Sequence, residues 1–125
     1  MDWSKAIEKL HHQTNAGAIQ WEPGDETMIY RHFERDNIEG QAYFTELGDK
    51  HIAVYEYKYR TIDDFDQPTW TSAVAVEFVT GDGRIEWRWP VSGPALFSLI
   101  EAIRFKTSGA EKFFEGFLKD DEPTK

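Results

Sequence analysis

The sequence predicts an α+β domain: an antiparallel four- to five-stranded meander with an N-terminal helix and two C-terminal helices packed on one face. Three observations carry that expectation. Apolar residues recur at helical spacing near both ends of the chain, while the middle alternates β-branched and aromatic residues between turn signals. No repeat or linker divides the 125 residues, so residues 1–125 form a single domain with enough chain for one core.

Trp3, Ala6, Ile7, Leu10 and Thr14 share one face of a helix within residues 1–17, with Asp2 placed to cap its start and Gly17 just past its end. Glu22-Pro23-Gly24 reads as a break. The sheet is expected within residues 25–89. Asp25–Arg35 fits either period, and Tyr30, Phe33 and the flanking turns favour a strand. Asp36-Asn37 opens a turn region closed by Gly40, Ala42–Leu47 is a strand, Gly48-Asp49-Lys50 a tight turn, and His51–Arg60 the partner strand. Ile62–Pro68 is a polar loop. Trp70–Thr80 follows as a strand with Val74, Val76 and Phe78 on one face. Gly81-Asp82-Gly83 suits a two-residue hairpin turn into Arg84–Trp89. Helices are expected within residues 93–118. Ser92-Gly93-Pro94 opens the first, with Leu96, Leu99, Ile100 and Ile103 as its buried stripe; Ser108 caps the second, with Ala110, Phe113, Phe114, Phe117 and Leu118 along one side. Residues 119–125 read as a disordered tail.

Composition narrows the function classes. With no cysteine, a disulfide scaffold, a Cys-based zinc site and a thiol nucleophile are excluded. No apolar run is long enough for a membrane span and MDWSKAIEKL lacks a secretory layout, so a cytoplasmic protein is expected. The net charge is −9, and residues 22–66 hold twelve acids against five bases. Such a field disfavours nucleic acid and anionic membranes and suits a protein partner with a basic surface.

The strands supply the candidate interaction residues. Alternation puts Tyr55, Tyr57 and Tyr59 on one side of their strand, opposite Ile52, Val54, Glu56 and Lys58; Ile85, Trp87 and Trp89 share a side of the return strand. On an open sheet face the tyrosines would form a row of rings about 7 Å apart, a platform for a protein, a small ligand or a sugar with Trp70 or Trp89. Asp63, Asp64 and Asp66 crowd one loop, but their spacing is not that of a calcium loop. His11, His12, His32 and His51 show no zinc spacing, and Ser4, Ser72, Ser92, Ser98 and Ser108 lie in no nucleophile elbow. No cofactor, metal or catalytic residue is therefore expected. The expectation is a non-enzymatic interaction module that meets its partner through Tyr55, Tyr57, Tyr59, Asp63, Asp64, Asp66 and Trp70, with homo-oligomerisation through a sheet edge or aromatic face also compatible.

The run of Trp3, Ile7, Leu10, Thr14, Gly17, Ile19 and Trp21, the Asp82-Gly83-x-Ile85 hairpin and the closing helix of Leu96, Leu99 and Ile103 with its Phe-rich tail resemble a loose group of small bacterial and phage α+β proteins. The resemblance spans most of the chain except roughly residues 22–40. It implies the fold and a bacterial or phage origin; the group has no agreed activity, so it implies no functional residue.

Overall fold

The computed structural model describes residues 1–24, 37–82, 84–90 and 93–120. Its elements are α1 (Trp3–Asn15), β1 (Glu22–Gly24), β2 (Asn37–Leu47), β3 (Lys50–Ile62), β4 (Pro68–Val79), β5 (Ile85–Arg88), α2 (Pro94–Thr107) and α3 (Ala110–Asp120). The fold is α+β, with a five-stranded antiparallel sheet in the order β1-β2-β3-β4-β5. The strand expected within 25–35 and most of the expected tail (121–125) lie outside the described residues. Among the described residues, no helix is long and apolar enough to cross a membrane.

The helix ends follow the sequence closely. The Asp2 carboxylate accepts the Lys5 amide at 3.1 Å, and Gly17 takes φ +77° to leave α1. Thr14, fully buried, donates its hydroxyl to the Leu10 carbonyl at 2.7 Å and accepts the Trp21 indole N–H at 3.0 Å. That bond ties the chain after α1 back onto the helix. Pro94 begins α2, where its missing amide hydrogen costs nothing.

Several boundaries differ from expectation. Glu22-Pro23-Gly24 is a short edge strand rather than a break, because an edge tolerates the missing proline donor. Gly24 is required there by packing: a Cβ would lie 2.1 Å from a Phe44 ring carbon. Residues 37–40 belong to β2 and not to a turn; Gly40, at φ +71°, sits in an irregularity between Glu39 and Tyr43 that lets the strand continue. The Thr80 amide donates to the Arg84 carbonyl at 2.8 Å, closing the β4–β5 connection; the turn expected at Gly81-Asp82-Gly83 includes Gly83, which lies outside the described residues. A register shift follows: Phe78 pairs with Trp87 but Val79 with Ile85, so Ile85 leaves the side that Trp87 occupies. The last helix runs two residues past the expected 118, to Asp120.

Two apolar clusters flank the sheet. On the helix side, Tyr43, Ile52, Val54, Val74 and Val76 meet Ile7, Leu96, Leu99, Ile100 and Ile103. Trp3 of α1 stacks on Trp87 (ring centroids 5.7 Å apart) and meets Trp89 edge-on at 5.0 Å, joining the chain's start to the sheet's far edge. Arg104 of α2 reaches down to Glu56 at 3.0 Å, clamping helix to strand. The opposite face is not left open, as the one-sided picture expects: Ala42, Ala53, Tyr55, Ala75 and Val79 form a second buried cluster, edged by Ile38, Phe44, Tyr57 and Ile85. The small alanines leave room for larger neighbours to cover them.

Candidate functional site

The alternation of β3 does place Tyr55, Tyr57 and Tyr59 on one side, away from α1 and α2, but they do not make an open row. Tyr55 is wholly buried; Tyr57 and Tyr59 are half-buried. Successive centroids are 5.9 and 5.8 Å apart and the rings tilt by 49° and 37°, so they pack on one another. Tyr55 is thereby removed as a contact residue. Trp70 is not on that face at all: it pairs with Arg60 across the strands, on the side of Glu56 and Lys58, with the Arg60 guanidinium 6.0 Å from its ring centroid. Trp89 lies in the helix-side cluster. The rings expected to act together are thus split between faces.

Beneath the tyrosines lies a charge network that the sequence does not reveal. Glu77, fully buried, accepts from the Arg88 guanidinium at 2.8 Å, and Arg88 also donates to the Tyr55 hydroxyl at 3.2 Å while lying over the Tyr57 ring at 5.7 Å. Burial, aided by the Glu77 charge, pushes the Tyr55 phenol well above the ordinary tyrosine range, against the opposing pull of Arg88. Burial would lower Arg88, but its hydrogen bond to Glu77 and the surrounding negative charge more than compensate and leave it raised. This arrangement locks β3, β4 and β5 together. The only sequence trace is that Glu77 and Arg88 interrupt apolar strands.

The exposed chemistry lies at the other end of β3. Among the described residues, β2 pairs with β3 no further than Lys58 and β5 pairs with β4 no nearer the tip than Glu77. The β3–β4 pairing continues out to Ile62 and Pro68 as an arm whose residues 60–70 are all exposed. Its tip has defined geometry. The Asp63 carboxylate accepts the Phe65 and Gln67 amides at 2.8 and 2.9 Å, its own amide donates to the Gln67 carbonyl at 3.0 Å, and Asp66 takes φ +58°. Such an Asx-type turn is a common loop role for aspartate. Asp63 therefore shapes the tip, while Asp64 and Asp66 flank Phe65, which is 82% exposed; Ile62 and Trp70 (54%) stand behind it. Among the described residues, no cation lies within salt-bridge distance of these three aspartates, whereas Glu39, Glu56 and Glu77 are matched by Lys58, Arg104 and Arg88. Phe65 and Ile62 were not picked out from the sequence; the available signal was a phenylalanine held between aspartates in a polar loop.

Elsewhere, an open groove of about 690 Å³ borders β1 and the β2–β3 turn, lined in part by Gln20, Glu22, Phe44, Glu46 and His51. Among the described residues no three His, Asp or Glu side chains gather as metal ligands. Comparison with protein families, curated proteins and solved structures finds no match to this chain.

Proposed function

We propose that the protein is a non-enzymatic, cytoplasmic interaction module that binds a partner protein through the β3–β4 arm. The observation that carries this reading is the tip geometry: a turn braced by Asp63 holds Phe65 outward between two carboxylates, with Ile62 and Trp70 also exposed further down the arm. An apolar ring 82% exposed at an apex contributes little to the core, and aromatic anchors set in pockets dominate many interfaces. The complementary partner offers an apolar pocket rimmed by Lys or Arg. Asp64 and Asp66 then steer association and Phe65 supplies affinity. Tyr57 and Tyr59 brace the arm from one side and the Arg60–Trp70 pair from the other.

The test is partner capture from a host extract on immobilised protein, with the recovered partner then titrated against variants. Phe65→Ala is expected to weaken binding by about 2 kcal/mol, roughly thirtyfold, without changing thermal stability. Asp64→Asn/Asp66→Asn is expected to slow association and flatten its salt dependence. Capture that survives both changes unaltered would reject the arm as the contact site.

A further inference from the structure

A different surface carries a second association. The spacing Ala110, Phe113, Phe114, Phe117, Leu118 is that of a helix with a buried side, yet α3 turns this side to solvent: its three phenylalanines and Leu118 are between 50% and 66% exposed. Gly109, at φ +83°, and the Lys106–Glu111 ion pair at 2.6 Å hold the start of α3 to α2, and from Lys112 to Lys119 every described side chain is exposed. An 11-residue helix without packing is marginal in water, where isolated helices need about 12–15 residues. The rings have meanwhile collected: Phe113 and Phe117 stack with centroids 6.1 Å apart, and Phe114 meets both edge-on.

We infer that the occupant of this face is a second copy of the same chain, the two α3 helices packing antiparallel about a two-fold axis at the level of Glu115 and Gly116. The pattern is its own complement. Phe113-Phe114 and Phe117-Leu118 are two pairs separated by two residues, so a half-turn sets Phe114 against Phe117 and Phe113 against Leu118 of the other copy. Lys112 and Lys119 project from the opposite side of the helix at 100° per residue, clear of the contact. The helix carries Glu111, Glu115 and Asp120 against Lys112 and Lys119, net −1 in a chain of −9, so two copies meet away from the strongly acidic middle of the chain. Taking about 200 Å² for a fully exposed aromatic residue, each copy offers roughly 400–500 Å². Two copies together then approach the ~1,000 Å² that a specific interface needs, at the small end of the range where weak, reversible association is expected.

Sedimentation of the full chain from about 1 to about 200 μM tests this, with a monomer–dimer midpoint expected on the order of 10 μM. Phe117→Glu is expected to raise the midpoint at least tenfold while leaving the tryptophan fluorescence unchanged, since α3 holds no tryptophan; Phe65→Glu on the arm leaves the midpoint where it was. A monomer at the highest concentration, or a dimer indifferent to Phe117→Glu, overturns the inference. The chain has no cysteine, so the geometry has its own readout. Mixing F114C with F117C protein should yield a cross-link faster than either variant alone. Equal rates in all three samples overturn the antiparallel arrangement.

Discussion

Glu77 and Arg88 face each other across β4 and β5, the carboxylate fully buried and the guanidinium partly so. Removing one member of such a pair leaves the charge of the other uncompensated in a low-dielectric site, whereas replacing both with apolar groups can be nearly neutral. Arg88→Ala is therefore expected to destabilise the protein by about 3 kcal/mol, measured by urea unfolding, and a double change to apolar residues to recover much of that loss. Tyr55 adds a pH dependence of defined sign. Its phenol is raised in the folded state, so its contribution is intact below the unfolded value of 10.0 and is lost as pH climbs beyond it. Stability should fall above about pH 10 with a limiting slope near 1.4 kcal/mol per pH unit. Tyr55→Phe should remove that component; an unchanged slope in the variant would exclude Tyr55 as its source.

α1 and α2 were legible as elements because their stripes lie where they pack: Ile7 and Thr14 in one, Leu96, Leu99, Ile100 and Ile103 in the other, are buried as the spacing requires. α3 carries an equally clear stripe whose destination is not encoded in its own residues. Periodicity says that a face is apolar and is silent on whether the same chain covers it. Truncation after Ser108 separates the two cases. Because the α3 stripe is exposed, the shortened chain should lose little beyond the exposed part of the Lys106–Glu111 pair, lowering the melting temperature by no more than about 4 °C. A large drop would mean that α3 supports the core. The strands show the same division. Alternation in β3 put Tyr55, Tyr57 and Tyr59 together, but the shift between Phe78 and Val79 moved Ile85 away from Trp87, and no two-residue period contains such a slip.

Across the whole molecule, the arm, the second cluster and the terminal helix assign each apolar group to packing or to contact. Phe44, Tyr55 and Tyr57 spend their area on the face away from α1 and α2, while Phe65, Trp70 and Phe117 keep theirs outside. The α+β class, the placement of a sheet between an N-terminal helix and two C-terminal helices, the starts of α1 and α2, the Val74-Val76-Phe78 face and the acidic character of the β3–β4 loop were all determined by sequence alone. Each depends on local chemistry: capping, a repeat of 2 or 3.6 residues, turn residues and charge count. The burial of Tyr55, its link to Glu77 and Arg88, the split between Trp70 and the tyrosines and the exposure of α3 were decided only by tertiary structure. Those features depend on which residues meet across strands and on which surfaces find a partner within the chain, and such long-range pairing leaves no mark on the spacing of a single segment.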